Sequence, residues 1–269
     1  MVNIKTAVPD ASQYGAKLGY TTYEAELGEL KNGIVKNAPS SEAEHATVRE
    51  ASGQAYVDLP TNASVSFIAQ ADANAVTVRY TVPDGESGKV EVKVNNTVIG
   101  TLDLSSKSNW QYLDNYTYHP NDDIKVHDTP AADRLARFQF DEVSQLFKDA
   151  HINKGDTVTI TNLDSTPVGI DLIDLEKAPD AIRQPENSVS ITDFGAVAND
   201  GSDDYQAFMA AIESAKASKK SVYIPEGQFD FSRPISLYVP DGIKITGAGQ
   251  WHTKLHFLNT EAAKYDEKG

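Results

Sequence analysis

Tyr23-Glu24-Ala25-Glu26 and, far downstream, Ile170-Asp171-Leu172-Ile173-Asp174-Leu175-Glu176 decide how the rest of the chain is read. Both stretches alternate β-branched or aromatic residues with polar ones, the pattern of a strand with one buried face. Side chains on a strand repeat every second residue, so the spacing predicts Glu24 and Glu26 on one face. Two carboxylates held that close repel unless a cation or hydrogen-bond donors lie between them. A hard cation such as Ca²⁺ takes six to eight oxygen ligands, and carboxylates with backbone carbonyls suit it. If the two stretches pair, Asp171 completes the site and a single sandwich opens and closes on these strands. Two solvated carboxylates on an edge strand remain the alternative.

Between them run short strands punctuated by Gly, Asn, Asp and Pro. Ala55 to Leu59 and Ser64 to Ile68 alternate, and Val76, Val78, Tyr80 and Val82 share one face of the clearest strand. Lys89 to Val94 and Thr97 to Leu102 flank Asn95-Asn96, a hairpin signal because Asn tolerates positive φ. Thr157 to Thr161 adds a further strand. Asp133 to Lys148 reads as holding a short helical turn. Closely spaced short strands favour an all-β sandwich over a parallel α/β sheet.

An insertion from Ser105 to Pro130 gathers Trp110, Tyr112, Tyr116, Tyr118 and His119 among Asn and Asp. Aromatic rings stack on the C–H faces of sugars, and Asn, Asp or Arg bond the hydroxyls, so the cluster is a candidate carbohydrate surface. A loop that anchors Trp110 on the sandwich explains it equally well.

After Pro179 and Pro185 the character changes. Ser188 to Val197 is a strand running into a turn, and Asn199-Asp200-Gly201-Ser202-Asp203-Asp204 leads into a helix. Ser202 is the expected N-cap, with Asp203 and Asp204 at the positive end of the dipole. Phe208, Ala211, Ile212 and Ala215 form its buried stripe. Beyond it, β pieces too short for a free-standing sheet fit stacked coils. Asp200, Asp203, Asp204, Glu226 and Asp230 read as capping or turn residues, and His119, His127, His151, His252 and His256 lack metal spacing.

Composition narrows the function classes. The 269 residues carry 24 Lys+Arg against 39 Asp+Glu, a formal net charge of −15. Such a chain repels phosphate backbones and anionic lipid, so neither nucleic acid nor membrane is an expected partner. The absence of cysteine excludes disulfides and thiolate metal sites. Met1 to Lys5 shows no signal-peptide pattern, although a mature secreted chain behind a new methionine reads the same.

Tyr23 to Glu26, the Val76 to Val82 strand and Ile170 to Glu176 resemble carbohydrate-binding modules of families six and thirty-five, which are calcium-bearing, galactose-binding-domain-like jelly rolls. Asp193-Phe194-Gly195-Ala196-Val197, Asp200-Gly201, Asp203-Asp204, Ala207-Phe208, Ala211-Ile212, Ile224-Pro225-Glu226-Gly227 and Gly247-Ala248-Gly249 resemble the cap and first coils of the pectate-lyase-like right-handed β-helix. Their order, with Ser106 to Trp110 and Arg137 to Val143, resembles the start of bacterial glycoside hydrolases of family eighty-seven, the α-1,3-glucanases and mycodextranases. The resemblance implies a lead-in over 1–19, a calcium-binding jelly-roll sandwich over 20–178, a linker over 179–187 and a truncated β-helix over 188–269. It implies Glu24, Glu26 and Asp171 as Ca²⁺ ligands and Trp110, Tyr112, Tyr116, Tyr118 and Arg137 as contacts to an α-glucan-like polysaccharide. The chain is therefore expected to be a non-catalytic, carbohydrate-binding part of a secreted or cell-surface enzyme. Its catalytic acids would lie on later coils, and its open solenoid end would invite self-association. A complete or oligomer-completed hydrolase or lyase, and a phage or surface adhesin, are the alternatives.

Overall fold

A computed structural model describes residues 19–38, 47–83, 85–106, 112–113, 136–137, 140–232 and 242–257. Two compact units divide between Lys177 and Ala178. The first contains β1 (Tyr20–Glu24), β2 (Glu29–Lys31), β3 (Ile34–Asn37), β4 (Ala55–Leu59), β5 (Ser64–Ile68), β6 (Ala75–Thr81), β7 (Ser87–Val94), β8 (Thr97–Ser105), β9 (Tyr112–Leu113), β10 (Ala136–Arg137), β11 (Asp141–Leu146), β12 (Thr157–Asn162) and β13 (Val168–Glu176). One sheet runs β11-β6-β13-β4-β3, with β1 also on β13, and the other runs β2-β5-β12-β7-β8. All these pairings are antiparallel.

Alternation explains the burial. Val76, Val78 and Tyr80 from one sheet and Val90, Val92, Val158 and Ile160 from the other meet in a single apolar cluster. Burying an aliphatic side chain of this size contributes roughly 1.5–3 kcal/mol, so the facing rows fix which side of each strand points inward. Asn95 and Asn96, at φ 48° and 69°, make the hairpin between β7 and β8. The expected pairing of the opening and closing stretches is present, from Tyr20 opposite Glu176 to Glu24 opposite Leu172.

Two expectations change. Residues 141–146 are strand β11, paired along β6, rather than a helical turn. Strand β1 ends at Glu24, and Ala25–Leu27 form a 3₁₀ turn, so Glu24 and Glu26 do not share a strand face. The turn follows from packing: Ala25 is fully buried, and at Gly28 a Cβ would sit 2.5 Å from Val65 Cγ2. Only a chain that bends inward there reaches β5.

The second unit contains β14 (Ser188–Ser190), α1 (Tyr205–Ser218), β15 (Ser221–Ile224), β16 (Gly227–Phe231), β17 (Ile245–Gly247) and β18 (Thr253–Phe257). Strands β14, β15 and β17 stack in parallel, and so do β16 and β18. Residues in β16 therefore lie over residues 26 positions later in β18, as in successive coils of a solenoid. Phe208, Ala211, Ile212 and Ala215 of α1 bury their stripe against Phe229 and Phe231. The N-cap is Asp204 rather than Ser202, and its side chain does not cap the helix. Residues 179–187 are fastened down: Ile182 donates its N–H to Ala248 O and accepts from Tyr223 Oη.

Candidate functional site

At the end of β1, Glu24 and Glu26 lie within electrostatic reach of Asp171. β13 carries a bulge between Ile170 and Leu172 in its pairing with β6, and the extra residue is Asp171. A bulge re-aims its side chain. Asp171 is fully buried and ion-paired with Arg79, and it accepts the Ser52 N–H at 3.0 and 3.2 Å on its two oxygens. Arg79 Nη2 also donates to Glu50 O at 3.1 Å, and its guanidinium lies 4.8 Å from the centre of the Phe140 ring. Ser52 Oγ donates to Glu24 Oε1 at 2.8 Å.

That leaves Glu24 Oε2 and Glu26 Oε2 buried with no hydrogen-bond partner. An unsatisfied buried carboxylate oxygen is costly, and the protein responds through its proton affinity. Burial raises the Glu26 pKa above the ordinary value, with Glu24 and Asp171 adding repulsion. Burial likewise raises Asp171, against the opposing effects of Ser52 and Arg79, and Asp174, against the hydroxyl of Thr22. The folded sandwich therefore holds these protons more tightly than the unfolded chain. Its stability should fall as pH rises from the ordinary carboxylate range through the raised folded values, and level off above them. In chelator, thermal melts of the sandwich across that window should show the higher midpoint on the acid side.

Carboxylate oxygens without donors are ligands of the kind a hard cation takes. Asp171, the third ligand expected from the sequence, is ion-paired with Arg79 and accepts the Ser52 N–H. Among the described residues, no group of three or more His, Asp or Glu side chains is gathered to hold a metal. Beside Glu24 is a cavity of about 470 Å³ lined by Tyr23, Glu24, Leu27, Phe67, Ile68 and Gln70, among others.

The carbohydrate candidates Trp110, Tyr116 and Tyr118 lie outside the described residues. Tyr112 and Arg137 are described in backbone only, where they pair across β9 and β10.

On the solenoid, sequence reasoning passed over two cross-coil pairs. Asp230 is a buried strand residue of β16, not a turn residue; its Oδ1 meets His256 Nδ1 at 2.7 Å and accepts from Gln228 Nε2 at 2.8 Å. Glu226 Oε2 meets His252 Nδ1 at 2.9 Å. Both pairs are 26 residues apart, the offset between coils, which is the one signal a sequence could offer. Asp204 accepts the N–H groups of Val197 and Asp230, and Asp203 takes Ser232 Oγ and the Tyr205 N–H. Burial raises the Asp204 pKa.

Residues 17–178 match the family described as α-1,3-glucanase catalytic domain D1. The chain belongs to that family. Residues 188–263 match the rhamnogalacturonase A/epimerase, pectate lyase-like family. Among solved structures, the Agl-KA catalytic domain is 36% identical with a TM-score of 0.78, over 92% of this chain and 44% of that one. The catalytic unit of the thermostable family-87 α-1,3-glucanase from Streptomyces thermodiastaticus strain HF3-3 is 31% identical, with a TM-score of 0.70, over 91% and 42%. The D1 chain thus spans less than half the length of these structures. A pre-neck appendage protein of Bacillus phage B103 is 42% identical over 72 residues, 27% of this chain and 8% of that protein. These findings correct the expected non-catalytic binding module: the sandwich itself matches a catalytic-domain family, and both units align within single catalytic units.

Proposed function

We propose that this chain is an integral part of the catalytic unit of a secreted α-1,3-glucan hydrolase, pairing a jelly-roll D1 sandwich with the opening coils of a right-handed β-helix. The observation that carries this reading is the D1 match over the whole sandwich, joined to a pectate-lyase-like match over the solenoid. Family-87 α-1,3-glucanase catalytic domains in complex with nigerose and with tetrasaccharides share the fold at 24% identity. Short α-1,3-linked glucose oligomers are accordingly the proposed ligand class, and the net charge of −15 suits a neutral glycan over an anionic one. Release of reducing ends from α-1,3-glucan by the intact gene product tests the reading.

Calcium is proposed at the Glu24–Glu26 turn. The support is the pair of buried oxygens without donors. Bound there, the ion would neutralise both carboxylates and tie the end of β1 to the 3₁₀ turn. Calcium at a hundredfold excess over its Kd is expected to raise stability by about 2.7 kcal/mol. Glu24→Gln and Glu26→Gln should each abolish that rise in a thermal melt with and without chelator. A melt indifferent to calcium removes the ion from the account.

A further inference from the structure

The cavity at the end of β1, about 470 Å³, falls in the size range of small-molecule sites. Its lining divides by chemistry. Leu27 and Ile68, 81% and 59% exposed, give it apolar wall that faces solvent. Phe67 adds an aromatic ring, tilted 56° against that of Tyr23 with centres 5.5 Å apart. Glu29, Gln70 and Thr157 supply hydrogen-bonding groups, and no Lys, Arg or His is among the described lining residues.

Tyr23 shows which kind of group belongs inside. It is 8% exposed, and its phenol oxygen accepts the Gln70 N–H at 2.8 Å. Gln70 also lines the cavity, so this contact sets the oxygen at the cavity wall. A phenol donates as well as accepts, and among the described residues nothing takes the Tyr23 proton. A buried donor left without an acceptor is costly, so the fitting occupant presents an oxygen there. Charge and surface narrow the class further. Glu24 and Glu29 disfavour an anion, and a bare cation offers Tyr23 no acceptor. A water would take the proton but leave the Leu27 and Ile68 walls wet. A neutral ring bearing hydroxyls accepts from Tyr23, donates to Gln70 or Glu29, and lays its C–H face on the apolar wall.

We propose that this cavity binds a neutral pyranose, held by the Tyr23 hydroxyl against the Leu27 and Ile68 walls. That the sugar is a glucosyl unit rests on the α-1,3-glucan reading above; the preference for a neutral ring rests on the lining alone. Glu24 Oε2 is left to the proposed cation, so calcium is held constant in the test.

Amide spectra of the full ¹⁵N-labelled chain read the site directly. Titration with nigerose is expected to shift the amides of Gly28, Ser66, Gln70 and Thr157, with a Kd in the millimolar range. Galacturonate at equal concentration is expected to leave them in place. Tyr23→Phe keeps the ring and removes the proton, so affinity should fall about fivefold. Ile68→Arg puts a charged chain across the apolar wall at an exposed position and should weaken binding about tenfold. Glucose bound as tightly as nigerose identifies free sugar as the ligand, and tighter nigerose identifies the glucan chain. Unmoved amides with both sugars, equal binding of galacturonate, or full affinity in Ile68→Arg overturns the site. Should Tyr23→Phe fail to fold, Ile68→Arg and galacturonate decide. The titration needs no turnover. Unmoved amides beside α-1,3-glucan hydrolysis by the intact gene product remove this site alone, whereas bound sugar without hydrolysis removes the hydrolase reading and keeps the site.

Discussion

Replacing Asp171 by alanine is expected to destabilise the sandwich by about 3–5 kcal/mol, the range for breaking a buried ion pair from one side. Asp171 is fully buried, whereas the Arg79 side chain keeps 26% of its exposure. The guanidinium retains Glu50 O and the Phe140 ring, which places the expected cost at the lower end of the range. Two losses add to it: the Ser52 N–H has no acceptor, and the bulge in β13 no longer has a side chain holding it. One gain opposes them, because removing a negative charge relieves Glu24 and Glu26. Coulombic relief between partly solvated carboxylates is worth about 1 kcal/mol, too little to reverse the sign. Asp171→Asn, which can still accept from Ser52, should cost less than Asp171→Ala. Combining Asp171→Ala with Arg79→Leu should cost less than the two separate effects added together, since the partners act as a unit. Urea unfolding in chelator measures all four. A cost under about 1 kcal/mol for Asp171→Ala would mean that Arg79 swings into water and the pair contributes little.

Phe208→Ala is expected to destabilise the solenoid unit by a similar amount, about 3–5 kcal/mol. Phe208 is 1% exposed and meets Phe231 edge-on, with ring centres 5.7 Å apart and planes at 87°. Phe231 in turn stacks on Phe257 of the next coil at 5.1 Å. Truncation therefore opens a cavity at the point where α1 covers the first coil, and the aromatic row loses its end contact. Short coil strands have little stability of their own, so most of this loss should appear in the unfolding midpoint of the unit. Phe208→Leu, which keeps much of the volume, should cost less than half as much. If Phe208→Ala lowers the solenoid transition by less than Phe208→Leu, the helix is not what closes the core.

Much of the architecture could be read from period alone. Val76, Val78 and Tyr80 alternate because one face of β6 meets the opposing sheet, and Phe208, Ala211, Ile212 and Ala215 recur at helical spacing because α1 lies on coils. Asn95-Asn96 reported a hairpin because few other residues accept two successive positive φ values. The sites were less legible. The alternation of Tyr23 to Glu26 stops meaning anything at Glu24, where the close approach of Gly28 to Val65 turns the chain. Asp171 owes its aim to a bulge, which inserts one residue without a local sequence mark. The strand Asp141–Leu146 was hidden because an edge strand on β6 needs few apolar positions, and here only Val143 and Leu146 are half-buried. Pairs such as His252 with Glu226 depend on a coil length that only the stacked register reveals. The step from binding module to catalytic-domain family was beyond the residues themselves, since a turn carrying two carboxylates is compatible with either.

The most direct measurement is hydrolysis by the intact gene product, scored as reducing ends released from insoluble α-1,3-glucan beside α-1,4-glucan and polygalacturonate at equal mass. The account predicts release from α-1,3-glucan, with nigerose and longer α-1,3-linked oligomers as products, and little or none from the other two. Release confined to polygalacturonate or α-1,4-glucan, or none from any glycan by a folded protein, would contradict it.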